Sequence, residues 1–484
     1  AKAGAARGFA AARSIAERTG VKELVWRAMM GAARVAEGTA APTDGGALAL
    51  YEGAAAFLES WLSDQAVGIY RVDFLDEKLP VFEAIIRLLL ERHGTASREG
   101  WSEKAFRYAE RSHLLASRFR AAGIVPEKGA EVRAKTGAAR AIVRLQTALQ
   151  DPDLSAGEKE RLIGLLESAE EDYHGELIRA ERVAPAAPSP IGIHELRGRL
   201  AGDVMLAYVL GNAASYAFLV TGDRVDAAVL PGAGRIGPAV ERYLRFLQLA
   251  DGREFAGETA GRRLFEMLVG PFAAQLTTDG GRLIVVPDGV LHYLPFEALV
   301  RGRGSEADGK GRGTDYLGRT AEIRYAASAT EAFAATRTAG AAGRTTEVLA
   351  VGCADAIACD NRSRLLKRSF DRLEYVDEEI RSVQRRFADR RVTSVLDVAA
   401  SERWLKSAGL RRFGVIHIAA HGVIDDVNWW RSALLLAPDP DGAEDGFLTA
   451  LEIPGLPLDA RLVVLSGCGT GNGRLFLGAG IKGL

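Results

Sequence analysis

Two residues of this chain stand where α/β proteins do chemistry, each just past an apolar run and each followed by a glycine. His421 follows Val415-Ile416-His417-Ile418-Ala419-Ala420 and precedes Gly422. Cys468 follows Leu462-Val463-Val464-Leu465-Ser466-Gly467 and precedes Gly469. In open parallel sheets, reactive groups gather beyond the carboxyl ends of the strands. A thiolate there is a nucleophile, and a neighbouring imidazole can take its proton and later hand one to a leaving amine. The small residues beside them would let the Gly422 and Cys468 amides face a developing oxyanion. Each residue also has a plainer reading. A lone Cys ending an apolar strand is core material, and a lone His at a strand end is hydrogen-bonded structure. The residues by themselves leave both readings open.

Other chemistries fit less well. In "GCGTGNGRLFLGAGIKGL" the G-x-G-x-x-G spacing breaks at Arg474, and Lys482 is followed by Gly483 rather than Ser or Thr, so a phosphate loop is not expected. Cys353 and Cys359 lack metal-ligand spacing and a second pair, so zinc is not expected. His417 faces away from Ile416 and Ile418 along its strand and is taken as structural. Asp425, Asp426, Trp429 and Trp430 follow the His segment closely enough to touch a substrate. A solvated loop with an aromatic anchor is their other reading.

Elements that could position such a pair fill the second part of the chain. "TEVLAVGC", "VTSVLD", "GVIHIAAHG" and "LVVLSGCG" read as strands, alternating with helices around "VDEEIRSVQRRF" and "SERWLKSAG", the latter with Ser401 as N-cap. Before them, "DVMLAYVLGNAASYAFLVTGDRVDAAVL" reads as strands with a hairpin signal at Thr221-Gly222-Asp223. "GRLIVVPDGVLHYLPFEALV" reads as a strand, a turn and a short helix, and the Gly-rich stretch 301–319 as a loop. Strands alternating with helices predict an α/β region with a mostly parallel sheet.

The first part of the chain reads as helices. "ALALYEGAAAFLESWL", "EKLPVFEAIIRLLLERHG" and "WSEKAFRYAERSHLLASRFRAAG" carry apolar faces, and a further helical pair is expected over 131–182, broken at "DPDLSAGEK". "KAFRYAERS" resembles the second helix of a tetratricopeptide repeat, although no 34-residue period lays cleanly over the region and a plain helical bundle is the alternative. The expected divisions are helical repeats over 1–182, a Pro-rich linker over 183–192, and two α/β halves over 193–340 and 341–484. At 484 residues and 48% hydrophobic content the chain can bury sizeable cores. Its formal charge of −1 gives no reason to expect nucleic acid or an anionic membrane as partner. Three scattered cysteines suit a reducing, cytoplasmic setting.

At its two candidate residues the chain resembles the CHAT family, caspase-like peptidases often fused to tetratricopeptide repeats and related to separase and the caspases. "VIHIAAHG" resembles the family's strand ending in His-Gly, and "LVVLSGCGTG" its Leu-Ser-Ala-Cys-x-Thr-Gly strand, with Gly467 in place of Ala. "SALLLAPD", "DGFLTALEIPGLPLDA", "LIVVPDGVLHYLPFEAL" and "AYVLGNAASYAFLVT" resemble further segments, from about Ile193 onward. The resemblance implies a caspase-like domain in which His421 is the base, Cys468 the nucleophile, and Gly422 with the Cys468 amide the oxyanion donors. It implies hydrolysis of specific protein targets with no metal or organic cofactor, a protein regulator bound through the helical repeats, and a place in bacterial defence or cell death. His292, in the half without a cysteine, would be structural. The family's domain runs well past its Cys strand, whereas here only Gly469–Leu484 follows Cys468. The catalytic half is therefore expected to be truncated, with "GRLFLGAGIKGL" as the front of a helix. The competing expectation is an inactive CHAT-like scaffold that binds proteins.

Overall fold

A computed structural model describes residues 2–38, 46–63, 77–95, 100–121, 141, 145, 148, 154–181, 189–249, 256–276, 282–303, 314–338, 347–354, 372–424, 432–437, 444, 446–450, 452–467, 473–476 and 480–483. The chain divides into two compact units. One gathers Ala1–Arg120, Ala186–Ala334 and Leu475–Gly480, the other Ala121–Pro185, Ala335–Arg474 and Ile481–Leu484.

The first unit opens with helices α1 (Lys2–Thr19), α2 (Lys22–Glu37), α3 (Gly46–Ser63), α4 (Pro80–Thr95) and α5 (Trp101–Ala121). Pro80 starts α4 at the position where a missing N–H costs nothing. Sequence neighbours pack, α1 on α2, α2 on α3 and α3 on α4. Of the expected α3 face Leu48, Tyr51, Ala55, Leu58 and Leu62 are buried and Phe57 is half-buried, and Ala105 and Ala109 are buried on α5. A fully buried Lys78 ammonium lies 4.3 Å over the Trp26 ring and 2.8 Å from the Glu23 carboxylate. Burial alone would raise Glu23, but bonds from Lys78 and Arg27 outweigh it and hold the carboxyl below its ordinary range. Its contribution to stability is present above the ordinary carboxylate pKa and is lost as the pH falls through the lowered one.

After α6 (Ala156–Glu181), which belongs to the second unit, and α7 (Ile193–Leu200), three strands follow. They are β1 (Val204–Val209), β2 (Ala214–Val220) and β3 (Val225–Pro231). Helices α8 (Ala233–Gln248) and α9 (Glu258–Leu268) lead to β4 (Arg282–Val286), and later come β5 (Val300–Arg303), β6 (Thr314–Tyr316), β7 (Glu322–Tyr325) and α10 (Ala329–Thr338). The sheet order is β3-β2-β1-β4-β7. It is mixed rather than parallel, because the short turns after β1 and β2 permit only antiparallel pairing, while β1, β4 and β7 run parallel. Thr221 closes the second hairpin, its N–H donating to the Arg224 carbonyl at 3.0 Å. The stretch 301–319, expected as loop throughout, has strand at both margins, β5 pairing antiparallel with β6.

This sheet is covered on both faces. Leu206, Tyr208, Leu219, Leu283 and Val285 join α8 and α9 in one core. On the other face Phe106 of α5 meets Phe218 edge-on at 5.8 Å. Glu110 of α5, 2% exposed, caps α10 from outside. Its carboxylate accepts the Ala329 and Thr330 N–H groups, each at 2.8 Å, and the Thr330 hydroxyl at 2.5 Å. Replacing Glu110 with alanine strands two buried amides, each worth about 1–3 kcal/mol. The expected loss is about 3 kcal/mol, read as a lower denaturant midpoint at constant slope.

The second unit contains α6, whose start is a capping box: Glu158 accepts the Ser155 N–H at 3.0 Å while the Ser155 hydroxyl accepts the Glu158 N–H at 3.3 Å. The first member of the expected helical pair over 131–182 lies outside the described residues, save helical 141, 145 and 148. The unit's sheet is built from β8 (Glu347–Gly352), β9 (Val392–Leu396), β10 (Phe413–Ala419) and, further on, β14 (Leu462–Ser466). Helices α11 (Val376–Arg386) and α12 (Glu402–Ser407) lie between its strands. Between β10 and β14 come β11 (Gly422–Val423), β12 (Ala433–Leu435) and β13 (Phe447–Thr449), a small antiparallel sheet in that order. At the end, β15 (Gly473–Phe476) and β16 (Gly480–Gly483) form a two-stranded sheet where a helix front was expected. Gly473, Gly478, Gly480 and Gly483 lie too close together for a helix, each costing about 1 kcal/mol there relative to alanine. Among the described residues no helix is long and apolar enough to cross a membrane.

Candidate functional site

The sheet of the second unit runs β14-β10-β8-β9 and is parallel at every pairing. Central strands β8 and β10 are apolar along nearly their whole length because both faces are covered. On one face α11 sets Val376 and Ile380 against Ala350 and Ala419. On the other, Leu349, Val351, Ile416 and Ile418 pack with Leu405, Leu410 and Leu434. Ser401 caps α12 as its type suggests, accepting the Trp404 N–H at 3.1 Å. His417 lies on the α11 face with Nε2 2.8 Å from a Glu379 oxygen, a bond that ties strand to helix.

The strand register determines what stands at the carboxyl edge. Leu396 pairs with Gly352, Gly352 with Ala419, and Ala419 with Ser466, so all four strands end on one line. The ladder continues one step beyond: the Cys353 N–H donates to the Ala419 carbonyl at 2.9 Å, and the Ala420 N–H to the Ser466 carbonyl at 3.0 Å. His421 comes next, half-buried, its backbone carbonyl accepting the Leu435 N–H from β12 at 2.9 Å. That bond marks His421 and Leu435 as the hydrogen-bonded pair of an antiparallel ribbon. The following pair, Gly422 with Leu434, is then the non-bonded kind, and the Gly422 N–H turns away from β12. Cys468 lies outside the described residues, as do Asp425, Asp426, Trp429 and Trp430. In sequence Cys468 stands as far beyond Ser466 as His421 stands beyond Ala419, and Ser466 and Ala419 are paired.

Two features at this edge had no signal in a pattern of apolar runs. Asp397, just past β9, has a positive φ of 47°, and its carboxylate accepts the Ala354 N–H at 2.9 Å, holding the exit of β8. Backbone strain of this kind persists where surrounding structure demands it. The second is a buried ionic cluster. The Lys406 ammonium of α12 donates to Glu402, to Glu444 at 3.1 Å and to Glu452 at 2.9 Å. These three carboxylates are near enough together for a metal ion, but the ammonium is among them. Burial would lower Lys406, yet the attraction of Glu452 and Glu402 outweighs it and holds its pKa above the ordinary lysine value. The ammonium's contribution is therefore whole at neutral pH and is lost as the pH climbs through that raised value. Cys353, 3% exposed, lies in the core behind the edge.

A wholly parallel, helix-covered sheet with a histidine just past a central strand defines the class: an α/β protein whose reactive groups would gather at the carboxyl edge. Residues 258–484 match the family model of the CHAT domain. The match begins at the first residue of α9, so β1, β2, β3 and α8 precede it. No curated protein matches the chain.

Proposed function

We propose that this protein is a cysteine endopeptidase of caspase-like type, with Cys468 as nucleophile and His421 as its base. The pairing of Ala419 with Ser466 carries the proposal, since His421 and Cys468 follow those paired residues at equal distance. The His421 imidazole takes the thiol proton, the thiolate attacks a peptide carbonyl, and the imidazolium protonates the departing amine. Water then releases the acyl group from sulfur. The Gly422 amide, turned from β12, and the Cys468 amide would bind the oxyanion. The four residues Asp425, Asp426, Trp429 and Trp430 would contact substrate. A protein regulator bound by the helical array, a cytoplasmic setting and a role in bacterial defence or cell death complete the reading.

The test is the pH profile of Cys468 alkylation by iodoacetamide, followed by peptide mass spectrometry. An imidazole partner is expected to bring the midpoint below the ordinary thiol value of about 8.5, and His421→Ala to return it there. A midpoint at the ordinary value in the unaltered protein, unmoved by that substitution, defeats the dyad and leaves the scaffold reading.

A further inference from the structure

We infer that Lys406 is a positioning residue for His421, its ammonium tying together the three segments that hold the small β11–β13 sheet against the histidine's backbone. The inference rests on the reading of His421 as catalytic base, and its structural half can be tested without that reading.

The linkage is continuous in named bonds. Glu402 and Glu452, 1% and 6% exposed, each turn one oxygen to Lys406 and the other to backbone. The second oxygen of Glu402 accepts the Gly446 N–H at 2.7 Å, immediately before β13. That of Glu452 accepts the Thr449 N–H at 3.0 Å and the Thr449 hydroxyl at 2.8 Å, at the end of β13. Both ends of β13 thus hang on carboxylates that Lys406 holds. From β13 the connection passes by strand pairing: Thr449 opposes Ala433, and Leu435 opposes Phe447. From β12 it reaches the site directly, because the Leu435 N–H donates to the His421 carbonyl at 2.9 Å. The small sheet is also fastened to the start of α12, where the Glu402 N–H donates to the Ala437 carbonyl at 3.3 Å and the Ala437 N–H to Ala400 at 3.0 Å.

Charge explains why the cation is the keystone. Three carboxylates within reach of one another repel strongly at low dielectric, and a single ammonium at the centre converts that repulsion into a four-part bond. Without it the carboxylates must move apart or take up protons, and either response disturbs the acceptors of Gly446 and Thr449. Parallel strand β10 is pinned independently by β8 and β14. Loss of Lys406 should therefore loosen His421 from the β12 side while leaving its strand intact.

The experiment compares Lys406→Met and Lys406→Arg with the unaltered full chain by amide hydrogen exchange and Cys468 alkylation. Lys406→Met is expected to speed exchange at Leu435 by about tenfold while Ile416 and Ile418 of β10 change by less than about twofold. Lys406→Arg, which keeps the charge, is expected to restore most of the protection. The alkylation midpoint in Lys406→Met should move toward that of His421→Ala. Unchanged exchange at Leu435, or equal acceleration throughout β10, overturns the inference. If Lys406→Met does not fold, Glu452→Gln replaces it, with an expected acceleration at Leu435 of about threefold and the same overturning result. Should His421→Ala leave alkylation of the unaltered protein unmoved, the dyad fails. The exchange arm still decides whether Lys406 holds the His421 carbonyl.

Discussion

Incubating the full-length protein with a proteome is expected to produce new peptide N-termini that vanish with Cys468→Ala and with His421→Ala. Removing the thiol removes the bond-forming atom, so cleavage in Cys468→Ala should fall to background. Removing the imidazole costs both thiolate formation and protonation of the leaving amine. General acid–base assistance alone contributes about 10²- to 10⁴-fold, and a loss of about 10³-fold or more is the expected size for His421→Ala. Neither change should cost much stability. His421 is half-buried beyond the end of β10, and its backbone carbonyl, which alanine retains, accepts the Leu435 N–H of β12. Chemical denaturation of both variants should stay within about 1 kcal/mol of the unaltered protein. Peptide profiles that survive either substitution would show that cleavage belongs to other residues. Profiles lost together with the fold would be recognised by the denaturation curves.

The candidate base could be found in the sequence because parallel strands buried on both faces are the easiest elements to recognise. β8 and β10 are nearly unbroken apolar runs of this kind, edge strand β14 is as apolar in sequence though Leu462 and Val463 are exposed, and a residue just past such a run falls at the carboxyl edge. Ser401 and the Thr221 turn were equally legible, since each acts through bonds to residues two to four positions away. Lys406 and its carboxylates were not. Their bonds span 38 and 46 residues to Glu444 and Glu452, and nothing in local periodicity announces such a meeting. Glu402 and Lys406 alone look like an ordinary surface pair one helical turn apart, the commonest and least informative spacing for opposite charges. The mixed order of the first sheet was half legible: its second hairpin was signalled by Thr221-Gly222-Asp223, but the parallel return of β4 to β1 depends on the crossover through α8 and α9. The final glycine-rich segment was expected as the front of a helix from the family resemblance alone, which took no account of the cost of its glycines.

Gly352→Ala is expected to destabilise the second unit by about 2 kcal/mol, a large effect for one methyl group on a strand. Gly352 ends β8 beneath α11, and a Cβ there would lie 2.7 Å from Leu396 Cδ2, 2.8 Å from Val376 Cγ1 and 2.9 Å from Ile380 Cγ1. Leu396, 38% exposed, has solvent into which it can turn. Val376 and Ile380, 5% and 1% exposed, have none, so relief requires α11 to lift from the sheet. That lift acts on the site as well, because Gly352 pairs with Ala419, from which the chain runs directly to His421. It also strains the His417–Glu379 bond that joins β10 to α11. Displacements near 1 Å at a reacting pair can cost about 10²-fold in rate, so cleavage should fall even at temperatures where the variant remains folded. The double variant Gly352→Ala/Val376→Ala separates this mechanism from a general weakening of the strand. Deleting the Val376 methyls removes one of the two contacts that the new Cβ would make with α11, and the pair should be less destabilised than the sum of the single changes by about 1 kcal/mol. Denaturant unfolding of the four proteins of the cycle measures that coupling, and strict additivity would mean that α11 does not bear on Gly352 as its geometry requires.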